Sequence, residues 1–150
     1  FIMSMKNFLI ILLGFYFSSR AQISITTNFP EKIALNFDFD LEIKIFKGPV
    51  KNYSKYEIQV PQGIDIKEGD SKSGTFSFEQ NKAKLIWAIT PVEDEFKITL
   101  KFSSGNIPGT KTINQKYYYL EKGERRETEM APITLIVDME YLWESFFFSL

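Results

Sequence analysis

Ile33, Leu35, Phe37, Phe39, Leu41, Ile43 and Ile45 take every odd position of a thirteen-residue stretch, while Asn36, Asp38, Asp40, Glu42 and Lys44 fill the even positions from 36 to 44. Successive side chains of an extended chain point to opposite sides, so a period of two lets a strand bury one face and wet the other. A helix, with its period of 3.6, would scatter the same residues around its circumference. The stretch therefore commits this part of the chain to β-structure. Its length exceeds the usual strand of about 5 to 6 residues, so a bend or break is expected between Asn36 and Asp40. Gly48-Pro49 then stops the pattern.

Shorter segments of the same kind follow at a steady spacing. Tyr56, Ile58 and Val60 alternate up to a turn at Pro61-Gln62-Gly63, and Ile64 and Ile66 form a short strand before the loop 68–74. Phe76 and Phe78 alternate next, with Gln80-Asn81 as a hairpin tip, and residues 85–89 form a mostly apolar run around Trp87 that suits a central strand. Phe96, Ile98, Leu100 and Phe102 alternate cleanly; residues 112–120 make another strand, Lys122-Gly123 a turn, and a last strand falls within 125–137. Seven or eight short strands with Gly, Pro and Asn punctuation, and no helical period between them, predict an antiparallel β-sandwich. Trp87, Phe76, Phe96, Ile98 and Leu100 are the expected core residues, and Pro61, Gly63 and Pro91 the expected turn residues.

Two absences exclude whole classes of chemistry. The 150 residues contain no Cys and no His, which removes disulfides, thiolate nucleophiles, Ser-His-Asp catalysis and ordinary zinc sites. A formal net charge of −1 gives no surplus of Lys and Arg with which to neutralise phosphates, so a nucleic-acid partner is not expected. With 44% hydrophobic residues, 16% aromatics and 15 Phe, the chain has ample material for one core.

The N-terminal residues form a targeting signal. Lys6 precedes the apolar run 8–17, FLIILLGFYF, and a small-residue site follows at Ser19-Arg20-Ala21. Such a run is too short for a membrane helix, which needs about 20 residues. Cleavage after Ala21 predicts a mature chain from Gln22, with initiation at Met3 or Met5. That chain loses two of the 18 basic residues and none of the 19 acidic ones, so its charge moves from −1 to −3. Residues 1–21 are thus the expected signal peptide with upstream residues, 22–137 the sandwich, and 138–150 an apolar tail. In the tail Met139, Leu142, Trp143, Phe146, Phe147 and Leu150 share one helical face.

Acidic clusters are the remaining candidates for chemistry. Glu93-Asp94-Glu95 lies between the Trp87 strand and the Phe96 alternation. A calcium site draws 6 to 8 oxygens from spaced ligands, and three adjacent carboxylates lack that spacing, so the cluster is expected to be a solvated bend. Asp38 and Asp40 project from one face of a strand and could be read as a carboxylate pair for glycoside hydrolysis, but every even position from 36 to 44 is polar, so a charged solvent face explains the pair without chemistry. Tyr117, Tyr118 and Tyr119 suit packing, and Arg125-Arg126 beside Glu127 and Glu129 suits a solvated edge. No catalytic residue, metal ligand or cofactor site is assigned.

The run VPQGIDIKEGDSKSGTFSFEQNKAKLIWAITPVEDEFKITLKF resembles the P-x-G … G-x-F … I-W … P … E-F pattern of immunoglobulin-like domains in uncharacterised exported proteins of Bacteroidota. The similarity spans roughly residues 38 to 137 and its motifs are packing motifs. It implies an immunoglobulin-like sandwich, with Pro61 and Gly63 at a strand-end turn, Trp87 as the pin between sheets and Pro91 as a strand terminator. The two cysteines of antibody-type domains are missing. Proteins of this kind serve as adhesion, spacer or assembly modules, so the resemblance implies an exported, non-enzymatic module of the cell envelope or surface. Its partner would be an unidentified envelope protein or a glycan, and no membrane span would remain after signal cleavage. The alternatives are a carboxylate-based glycan-acting enzyme and a small outer-membrane β-barrel. The barrel needs strands of about 9 to 11 residues, longer than most segments here.

Overall fold

The computed structural model describes residues 22–139. The signal expected over residues 1–21 lies outside them, as does all of the expected tail but Asp138 and Met139. Eleven strands form among the described residues: β1 (Ser24–Thr27), β2 (Lys32–Ile33), β3 (Asp38–Phe46), β4 (Ser54–Gln59), β5 (Asp65–Glu68), β6 (Thr75–Glu79), β7 (Lys82–Trp87), β8 (Glu95–Ser103), β9 (Gly109–Glu121), β10 (Glu124–Glu129) and β11 (Ile133–Val137). A small sheet has the order β1-β3-β8-β5, and a large one the order β2-β11-β9-β4-β7-β6, with β10 also paired to β9. All pairs are antiparallel except β2 with β11. The fold is an all-β antiparallel sandwich, as the alternation predicts.

The expected break falls at Asn36, whose φ of 51° is a left-handed conformation that Asn tolerates better than most residues. Ser104 holds this corner. Its hydroxyl donates to the Ala34 carbonyl at 2.7 Å and accepts from the Phe37 N–H at 2.9 Å. Gln80-Asn81 and Lys122-Gly123 close the β6–β7 and β9–β10 hairpins with positive φ at both residues, the conformation whose twist matches that of the flanking strands. Gly63 has a φ of 99°, and a Cβ on Gly105 would meet the Gly63 carbonyl oxygen at 2.0 Å. Two loops therefore cross there backbone to backbone, an approach open only to glycine.

Three differences from the sequence reading have physical causes. β1 adds an edge strand on β3. The last segment is divided in two: β10 and β11 lie end to end along one edge of β9, parted at Ala131-Pro132, where proline has no N–H for the ladder. The apolar run 85–89 stops being strand at Trp87, and Ile89 is 78% exposed.

Trp87, Phe96, Ile98 and Leu100 are buried, whereas Phe76 sits half-buried at the core margin because β6 is the outermost strand. The Trp87 ring meets Phe96 of the opposite sheet edge-on, centroids 5.3 Å apart, and its Nε1 donates to the Ser71 carbonyl at 3.0 Å. Both inner faces thus merge in one solid core, and the barrel alternative is overturned: two open-edged sheets pack on each other and enclose no lumen. No helix among the described residues is long and apolar enough to cross a membrane.

Candidate binding surface

β4 lies in the middle of the large sheet, so its outward side chains are flanked from both sides. Register sets Glu57 opposite Lys84 and Lys116, Lys55 opposite Ile86 and Tyr118, and Gln59 opposite Lys82 and Asn114. Among these neighbours Lys55, Lys82, Lys84 and Tyr118 reach Glu57, and only 9% of its side chain stays exposed. Lys55 Nζ lies 3.0 Å from the carboxylate and the Tyr118 hydroxyl donates to it at 3.2 Å, with Lys82 and Lys84 at 3.9 and 4.0 Å. Burial alone would raise the Glu57 carboxyl, but its bonds to Lys55 and Tyr118 and the charges of Lys55 and Lys82 outweigh that and hold it below the usual range. Burial, followed by the Glu57 charge, pushes the Tyr118 phenol up. The Lys55 ammonium also rests 4.3 Å from the Tyr118 ring centroid, and the Arg125 guanidinium lies 5.0 Å from it. Hollows of about 230 and 70 Å³ flank the cluster and share Gln59 and Lys82.

The outer face of the small sheet is arranged differently. Asp38, Ser103 and Asp65 form one cross-strand row, and Asp40, Lys101 and Lys67 the next. They line an open groove of about 520 Å³ floored by Phe39 and Phe102. The structure therefore joins the Asp38–Asp40 pair to a third carboxylate and two lysines, which the sequence did not connect. Among the described residues, no group of three or more Asp or Glu is arranged to hold a metal ion.

Glu93, Asp94 and Glu95 are all exposed, in and just after the loop 88–94 that joins β7 to β8. The Asp94 carbonyl accepts the Lys47 and Gly48 N–H groups at 2.8 and 3.1 Å. Behind it the Lys47 ammonium is lowered by burial, an effect opposed by Asp94 and Glu93. Pro91 lies within this loop, four positions past Trp87. Gly63 lies in a turn with Gln62, and Pro61 precedes it.

The three consecutive tyrosines divide between the two faces. Tyr117 and Tyr119 point into the core and Tyr118 outward. The Tyr117 hydroxyl makes no hydrogen bond of ordinary geometry, and burial pushes its pKa up to about 12, offset only in part by the Ser54 and Thr90 hydroxyls.

No family model matches this chain, and no curated protein is similar to it at a significant level. Likenesses exist among solved structures. A non-cellulosomal cohesin from the hyperthermophilic archaeon Archaeoglobus fulgidus superposes with a TM-score of 0.55 at 11% identity, over 84% of this chain and 98% of its own. A chain from the structure of manganese lipoxygenase of Gaeumannomyces graminis and zonadhesin of Komagataella pastoris gives 0.46 at 11% identity, over 81% and 50%. A DUF4466 family protein from Parabacteroides merdae gives 0.42 at 6% identity, over 77% and 45%. The cohesin likeness supports the β-sandwich fold.

Proposed function

We propose that this chain is an exported, non-enzymatic binding, spacer or assembly module of the bacterial cell envelope or surface. The observation that carries the reading is Glu57. It is the most enclosed carboxylate on either outer face, and Lys55, Tyr118, Lys82 and Lys84 already engage it. A carboxylate held ionised below its usual range is a poor proton donor or acceptor near neutral pH. It suits a fixed platform of polar groups on rigid strands. The cohesin likeness and the sequence pattern of exported immunoglobulin-like domains point the same way. The envelope location rests on the Lys6, apolar-run and Ala21 signal.

Mass spectrometry of the protein recovered after export tests the location, with an N-terminus at Gln22 expected. An N-terminus retaining residues 8–17 overturns that part. Parallel glycan-array and glycan-hydrolysis screens test the rest: binding without turnover is expected, whereas hydrolysis abolished by Asp38→Asn or Asp40→Asn makes the small-sheet groove an active site.

A further inference from the structure

Ile89 and Val92 are 78% and 85% exposed, yet the loop that carries them is fastened at two points. Thr90, between them, is 1% exposed. Its N–H donates to the Lys51 and Asn52 carbonyls at 3.1 and 3.0 Å, and its hydroxyl bonds the Asn52 carbonyl and shares a 2.6 Å hydrogen bond with Ser54. Asp94 supplies the second fastening through the Lys47 and Gly48 N–H groups. A buried polar residue thus drives two branched aliphatic side chains outward on a braced tip, and Pro91 stiffens the link further. Branched aliphatics on a preordered tip have little rotamer entropy left to lose when they are covered.

Charge narrows what could cover them. Glu93, Asp94 and Glu95 are exposed beside Val92, and residues 88–95 include no Lys or Arg; of the two lysines on the adjoining segment 47–52, Lys47 is buried and Lys51 is exposed, so the carboxylates outnumber it. An anionic lipid surface would be repelled. A two-fold contact between tips would set the three carboxylates against their own copies. The Lys82–Lys84 face of a second copy offers charge, but its hollow is lined by Gln59, Ser77, Glu79 and Gln80 and gives the aliphatics nowhere apolar to enter. We infer that the Ile89–Val92 tip is a protein-docking element that packs on an apolar surface bordered by Lys or Arg on another protein. This rests on the binding-module reading, but the two fail separately, because a chain that binds through another face keeps its binding when the tip is changed.

The probe is a short amphipathic helical peptide with a Leu face bordered by Lys, and its twin bordered by Glu, titrated against the full chain by fluorescence anisotropy. The Lys peptide should bind and the Glu peptide should not. Ile89→Ser with Val92→Ser should weaken binding by about tenfold or more, as for the centre of an interface, without moving the melting temperature. Glu93→Gln, Asp94→Asn and Glu95→Gln together should abolish the preference for Lys, while an equal charge change at Glu31, Glu68 and Glu79 should leave it. Equal affinity for both peptides, or wild-type affinity in the Ile89→Ser/Val92→Ser chain, overturns the inference. So does co-sedimentation with zwitterionic vesicles, or concentration-dependent dimerisation, lost in that chain; these assign the tip to lipid or to a second copy.

Discussion

The two outer faces of the sandwich come from the same kind of sequence, alternating strands with charges on one side, and end in opposite states. On the large sheet Glu57 lies in an interior strand, and Lys55, Lys82, Lys84 and Tyr118 are long enough to reach it. On the small sheet Asp38, Asp40 and Asp65 are short, and Ser103 in the central strand between Asp38 and Asp65 is shorter still. That face stays open as a groove. Whether a charged strand residue is enclosed is thus decided by the length of its cross-strand neighbours and by its distance from the sheet edge, since charge is enclosed only where partners can pair with it.

If the large face is held rigid from beneath, damage to the core should be the largest effect. Trp87 lies on the inner side of the strand whose outer side carries Lys82 and Lys84, and it reaches Phe96 across the interface. Trp87→Ala should cost roughly 3 to 5 kcal/mol, the range for deleting a buried large aromatic, read from urea unfolding. A variant that keeps its unfolding midpoint but loses a binding partner would make Trp87 a ligand platform instead.

Glu57→Gln comes next. It keeps the shape but leaves Lys55 inside the cluster without its counter-charge, while the half-exposed Lys82 and Lys84 can swing into water. A loss of roughly 1 to 3 kcal/mol follows from an enclosed polar group deprived of its partner. The pH dependence has a definite sign. The folded pKa of Glu57 lies below the ordinary value of 4.5, so its contribution is present above that value and is lost as pH falls through the folded pKa. The gap between wild type and Glu57→Gln should therefore be constant near neutrality and narrow on acidification below about pH 4.5. A gap that widens toward low pH contradicts the assigned ion pairs.

The sequence made the interior legible and left the surface largely unread. The alternations 33–45 and 96–102 could be identified because one face of each strand is buried, and the tips at Gln80-Asn81 and Lys122-Gly123 because each carries an Asn or Gly, residues that take a left-handed conformation readily. β1 was missed because SITT offers a single large apolar residue, too little for a period. The enclosure of Glu57 depends on Lys82, Lys84 and Tyr118, 25 to 61 positions along the chain, which no local pattern contains; the Lys-x-Lys of a neighbouring hairpin was the one available hint. Ile89 looked like core because it continues an apolar run, and only the buried Thr90 after it, a polar residue with three partners, turns it outward.

The smallest expected effect is on the other face. Asp38 and Asp40 are exposed and Lys101 stands opposite Asp40, so replacing either with Asn removes a charge that water already solvates. Each change should stay within about 0.5 kcal/mol of wild type, as surface substitutions usually do. The Asn28 side chain would remain in place, because it bonds the Asp40 carbonyl and the Glu42 N–H of the backbone and not the carboxylate. A double-mutant cycle combining Glu57→Gln with Asp40→Asn should be additive within a few tenths of a kcal/mol, because the two residues share no partner. A stability change above about 1 kcal/mol at Asp38 or Asp40 would show that the groove holds its carboxylates under constraint. The contrast between the faces would then fail, and the small sheet would become the face on which to look for chemistry.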